Sequence, residues 1–160
     1  MFNKGDIVYH DQVIFQDNVL DDKKRRPCVV LFSLERGDKK YVCTCPFTSQ
    51  VHTFNKRPKN YKFMSEPIYN YHKLSFAKIN SARLYLEKET HKTKYKLSSE
   101  IVDSISDKIL SLNLNHKQKQ LAVIQDLLKY EKLFLQLEKR EEKKLLKQQR
   151  KEKRRRDKRI

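Results

Sequence analysis

The sequence predicts an α+β chain: a strand-rich first part, one helix laid on it, and a long helix at the C-terminal end. Three observations carry this. Between residues 5 and 85, short apolar runs alternate with turn-forming residues, as in 28–33 (Cys-Val-Val-Leu-Phe-Ser) and 41–47 (Tyr-Val-Cys-Thr-Cys-Pro-Phe). Ile101, Ile105, Ile109 and Leu112 then recur at i, i+4, i+8 and i+11, which is one face of a helix. From Lys117 onward the chain has neither Gly nor Pro, and Leu121, Ile124, Leu128 and Leu135 stand in a broad helical stripe.

In chain order, residues 5–9 (Gly-Asp-Ile-Val-Tyr) read as a short strand. Residues 10–22 mix two apolar patches with carboxylates and read as a hairpin extension or a loop. The runs 28–33 and 41–47 flank Glu35-Arg36-Gly37-Asp38, a turn in which Gly37 is free to take a positive φ. If these strands pair antiparallel, the start of the first lies beside the end of the second, and Arg26 meets Thr48 at one rim. Residues 68–72 alternate as a strand. Residues 73–85 carry Leu74, Phe76, Ala77, Ile79 and Leu84, while 87–95 is charged and reads as a loop. Ser98 or Ser99 is a natural N-cap, with Glu100 in the first turn favouring the helix dipole. A break at 113–116 precedes a second helix running from 117 to about 150. Its latter half is polar all round and is expected to project and fray. This gives a domain over 1–112 and a basic helical extension over 117–160.

The chain has 160 residues, enough for one domain with an appendage, and a formal net charge of +17. Residues 139–160 hold 13 Lys/Arg against 4 Asp/Glu. An anionic partner is expected, and nucleic acid is favoured over membrane because no stretch approaches the ~20 apolar residues of a span. The opening Met-Phe-Asn-Lys-Gly-Asp has no apolar signal region, so a cytoplasmic location is expected. Cys28, Cys43 and Cys45 form no Cys-x-x-Cys pair and read as small buried hydrophobes in a reduced compartment. A zinc site would need a further ligand group, for which only His52 is near. Asp11, Asp17, Asp21 and Asp22 lack metal-ligand spacing. No metal and no cofactor are expected.

The candidate site is the strand rim. Arg26 offers a planar fork of donors and Thr48 a hydroxyl, a pairing suited to a phosphate. Arg25, Ser49 and Gln50 stand beside them as secondary candidates. Farther along, Lys56, Arg57 and Lys59 are interleaved with Phe54 and Tyr61. Cations track phosphates and aromatic faces stack on unpaired bases, so Lys56, Arg57, Lys59 and Tyr61 are RNA-binding candidates. The bland reading of the same stretch is a charged hairpin that keeps the chain soluble. No Gly-rich phosphate loop exists, since the chain has only Gly5 and Gly37. A Ser/His/Asp or Cys/His hydrolase is favoured by no spacing.

Three stretches together, Lys4-Gly5-Asp6-Ile7-Val8, Arg26-Pro27-Cys28-Val29-Val30 and Pro46-Phe47-Thr48-Ser49, resemble the MazF/PemK (Kid) family of toxins. The resemblance covers roughly residues 1 to 112, and Arg83 stands where the family has an arginine-bearing strand. It implies an SH3-like small β-barrel of the MazF/CcdB type, with a helix packed on it, that dimerises and cleaves single-stranded RNA without a metal. It also implies that Arg26 and Thr48 are catalytic and that an acidic antitoxin protein restrains the enzyme. Two alternatives stay open on the same barrel: a non-enzymatic nucleic-acid-binding protein, and a toxin that poisons a protein target as the similarly folded CcdB family does. The basic tail past residue 139 has no counterpart in the resemblance and is expected to be a solvated charge run or an RNA-holding arm.

Overall fold

The computed structural model describes residues 1–14, 20–21, 26–48, 68–70 and 73–159. It comprises two units, Met1–Gln125 and Asp126–Ile160. The division thus falls inside the last helix, later than the sequence reading placed it. In the first unit the strands are β1 (Asp6–His10), β2 (Val13–Ile14), β3 (Leu20–Asp21), β4 (Cys28–Arg36), β5 (Lys39–Thr48), β6 (Ile68–Asn70), β7 (Lys73–Ala77), β8 (Arg83–Leu86) and β9 (Thr90–Lys96). Short 3₁₀ turns at Ile79–Ser81 and Glu87–Glu89 join β7 to β8 and β8 to β9. Helix α1 is Ser99–Leu110, and α2 is Lys119–Asp157.

The strands pair antiparallel in the order β6-β7-β5-β4-β1-β9, with β8 also on β5. The β4–β5 hairpin is the spine. Its turn is tighter than the sequence suggested: only Gly37 and Asp38 lie outside the strands, and Gly37 takes φ +64°. Glu35 and Arg36 therefore belong to β4, paired with Lys40 and Lys39. A register shift at Leu31 marks a bulge, which bends β4 and raises its twist. Cys28 to Phe32 and Val42 to Thr48 are buried throughout, so this hairpin runs through the core.

The far side of β5 changes partner partway along. Tyr41 to Thr44 pair with β8, whereas Phe47 and Thr48 pair with Ala77 and Phe76 of β7. Pro46 stands at the changeover, where its missing N–H costs no ladder bond, and its carbonyl accepts from Lys78 N at 2.8 Å. The β2–β3 pair forms a separate two-stranded piece within the segment read as a hairpin extension or loop.

Two segments depart from the sequence expectation. Residues 87–95 are not a loop: they hold a 3₁₀ turn and β9, which pairs with β1 at the sheet edge. The run Thr-His-Lys-Thr-Lys-Tyr-Lys shows no apolar alternation because His91, Lys92, Lys94 and Lys96 stay exposed, as suits a charged edge strand. His10 is likewise not in the loop; it ends β1 and is 4% exposed.

Gly5 anchors the first strand to the last. Its N–H donates to Val30 O and its carbonyl accepts from Leu97 N at 2.8 Å. With φ +91° and a would-be Cβ 2.5 Å from Leu97 O, the position admits no side chain without moving the backbone. Asp6 beside it is buried, accepts from Asn3 N at 2.8 Å and pairs with Lys92 at 3.2 Å.

Helix α1 starts where the N-cap signal placed it: the Ser98 hydroxyl accepts from Ile101 N. Its buried face is Val102, Ile105, Ser106 and Ile109, with Ile101 half-buried at the flank, and it packs on β4 and the Ile79–Ser81 turn. Gln125 closes its far end, donating from Nε2 to Ile109 O at 2.8 Å and to Leu112 O at 2.9 Å. Leu112 O lies past the helix end, and Ile109 O also accepts from Leu112 N at 3.2 Å, so the amide completes the helix terminus.

In the second unit, α2 continues to Asp157, farther than the sequence suggested, with Arg154, Arg155 and Arg156 in its last turn. Those cations complement the negative end of the helix dipole, which accounts for the added length. No helix among the described residues is long and apolar enough to cross a membrane.

Candidate functional site

The rim site can be built from the register. Cys28 pairs with Pro46, and Phe47 N donates to Pro27 O at 3.0 Å. Continued two residues past Cys28 and Pro46, the same register would bring Arg26, which precedes β4, level with Thr48. The register set at the turn, Arg36 with Lys39, would by itself carry Arg26 one residue past Thr48, and the bulge at Leu31 shifts it back by one. On its other side Thr48 pairs with Phe76 of β7.

Thr48 is 8% exposed and Arg26 half-buried. A guanidinium partly withdrawn from water beside a fixed hydroxyl is a stronger anion site than two solvated side chains, because its field is less screened. The charge of Arg26 also reaches Cys28. Burial pushes that thiol up to about 12, against the opposing pull of a hydrogen bond with Thr44 and of Arg26. Burial likewise raises Cys45, with Cys28 and Cys43 adding to the shift and Lys78 opposing it. Neither sulfur is a nucleophile at neutral pH. All three cysteines are free and buried.

Of the other residues singled out in the sequence, Arg25, Ser49, Gln50, Lys56, Arg57, Lys59 and Tyr61 lie outside the described residues. Arg83 is described: it opens β8 and pairs with Thr44, two residues below Pro46 on β5. Among the described residues no group of His, Cys, Asp or Glu is placed to hold a metal ion.

Sequence reasoning missed a polar chain beneath the rim. His10 Nδ1 lies 3.0 Å from Thr90 Oγ1, and Nε2 lies 2.7 Å from Thr44 Oγ1. Thr90 donates its hydroxyl proton to Leu86 O at 3.0 Å. It therefore accepts from His10 Nδ1–H, and Nε2 accepts from Thr44, which assigns the neutral Nδ1–H tautomer. The ring stacks on Tyr85 at 3.7 Å between centroids. Burial lowers the imidazole to about 4, with Asp11 opposing the shift and His91 adding to it. A neutral, four-sided environment makes His10 a structural group. Its only sequence signal was a lone His among carboxylates, and its partners lie 34 and 80 residues away.

A second concavity of about 590 Å³ lies at the opposite end of the hairpin, between Phe2, Lys39, Lys40, Leu86 and Lys88. It shares no residue with the rim. No protein-family model matches this chain, and no curated protein matches it significantly.

Proposed function

We propose that the chain is an endoribonuclease that cuts single-stranded RNA by attack of a 2′-hydroxyl on the adjacent phosphorus, without a metal. The observation that supports this reading is the β4–β5 register, which, continued past Cys28 and Pro46, would bring half-buried Arg26 level with buried Thr48 at one rim. In such a reaction the 2′-oxygen bonds to phosphorus, the 5′-oxygen leaves as a hydroxyl, and a cyclic phosphate remains. Charge builds on the non-bridging oxygens in between. Arg26 would meet that charge with two parallel N–H donors, and Thr48 would hold one phosphate oxygen through its hydroxyl. Thr48 is held at the end of β5 and Arg26 two residues before β4, so little reorganisation would be needed as the charge develops.

The same proposal extends to the fold, as an SH3-like barrel. Strands β8 and β9 are joined by one 3₁₀ turn, yet they stand at the two ends of the order β9-β1-β4-β5-β8. His10, on β1, reaches across to Thr44 on β5 and Tyr85 on β8, which a flat sheet would not permit. A curled sheet of this kind offers its strand rim to a ligand.

The test is incubation of the purified protein with end-labelled single-stranded RNA in excess chelator. Cleavage with cyclic-phosphate ends is expected, and a DNA strand of the same sequence should stay intact because it lacks the attacking hydroxyl. RNA that is bound but uncut would replace this reading with the non-enzymatic one. We further propose that the barrel works as a homodimer held in check by an acidic protein, a cytoplasmic arrangement suggested by the family resemblance and the basic charge. Light scattering should then give twice the 19.4 kDa chain mass, and a monomer at every concentration would refute the dimer.

A further inference from the structure

Most charges on α2 are sorted by face, the exceptions being Arg156, which falls among the glutamates, and Asp157, which falls on the cationic side. Lys143, Lys147, Arg150, Lys151 and Arg154 recur at i, i+4, i+7, i+8 and i+11. At 3.6 residues per turn these fall within an arc of about 100°. Lys139 and Lys144 extend the same side. Glu138, Glu141, Glu142 and Glu152 all project from the opposite side of the same helix. The described residues from 132 onward are exposed, so no packing demands this arrangement. Read as a string, the segment is only a charge run; wound as a helix to Asp157, it is a cationic rail with an acidic back.

We infer that this rail is a binding site for the phosphate backbone of double-helical nucleic acid. The rail is about 22 Å long from Lys139 to Arg154, enough for roughly six phosphates of one strand at 3.4 Å each. A helix with its side chains is about 10–12 Å across, the width of a B-form major groove, and the acidic back would face away from the phosphates. An anionic membrane fits poorly. A helix lying on a bilayer needs an apolar face opposite its cations, and here that face carries four glutamates. An acidic peptide docking in a groove needs apolar anchors, which the rail lacks.

This inference shares with the nuclease reading only that the ligand is nucleic acid, and a DNA probe that 2′-hydroxyl chemistry cannot cut keeps the two apart. The experiment uses the full chain, a 20-bp duplex DNA and fluorescence anisotropy across a salt series. Two double variants remove equal charge from interleaved positions: Lys151→Gln with Arg154→Gln on the rail, and Lys153→Gln with Arg156→Gln off it. Gln keeps a comparable helix propensity, and circular dichroism checks that helicity is unchanged. The rail pair should weaken binding more than tenfold at 0.1 M salt and flatten the slope of log K against log salt by about 2, since each lost phosphate contact removes about 0.9. The off-rail pair should leave the slope where it was. Equal effects from the two pairs would show diffuse charge and overturn the inference. So would tight binding to phosphatidylserine vesicles or polyglutamate with none to the duplex.

Discussion

Arg26→Lys is expected to lose RNA cleavage by about 100-fold or more while the chain stays folded. The substitution keeps the charge and removes the fork. An ammonium is a point donor on a flexible stem, so it cannot place two parallel hydrogen bonds on a phosphorane. Loss of one preorganised donor to a developing oxyanion typically costs about 10²–10³ in turnover. Thr48→Val tests the other half of the rim. Valine matches the shape of threonine, so β5 keeps its pairing to Phe76 and only the hydroxyl is lost. A fall in turnover with little change in the urea midpoint would place Thr48 on the phosphate. Single-turnover rates and denaturation on the same preparations separate chemistry from stability. Near-normal cleavage by both variants would remove the rim from the mechanism, whatever else the protein cuts.

The second large effect is a dependence of stability on mild acid. Burial holds His10 near 4 in the fold, against about 6.5 when the chain is unfolded. Between those values the unfolded state binds the proton and the folded state does not. Stability is therefore fully present above pH 6.5 and is lost as pH falls toward 4. From pH 7 to pH 5 the loss should be about 2 kcal/mol. Protonation would put a second donor on Nε2, where Thr44 now donates, so that bond opposes the cation as well. His10→Phe should be less stable at pH 7, because two buried threonine hydroxyls lose their partner, yet it should lose most of the pH dependence in this window. Urea midpoints of both proteins at pH 7 and pH 5 decide the matter. A parallel decline in the two would assign the acid sensitivity elsewhere.

The local features were the legible ones. The β4–β5 hairpin could be read because its turn residues and its apolar runs lie within about 25 residues, whereas the bulge at Leu31 that shifts its register by one could not. Helix α1 could be read from its cap and its period, although the buried face turned out to be Val102, Ile105 and Ile109 with Ile101 at the margin. Strand β9 could not be read, because an edge strand with lysines on it has no hydrophobic alternation to detect. The role of His10 was equally hidden, since its partners Thr44 and Thr90 come from strands far along the chain. The sequence placed Gly5 only at the head of a strand, and it is the sheet that brings Leu97 O to where its Cβ would be. By itself the sequence determined the hairpin, the capped helix and the excess of positive charge, all set by neighbours along the chain. Only the tertiary structure decided which strands lie next to β1 and which histidine is buried neutral. Those depend on contacts between residues far apart in the chain.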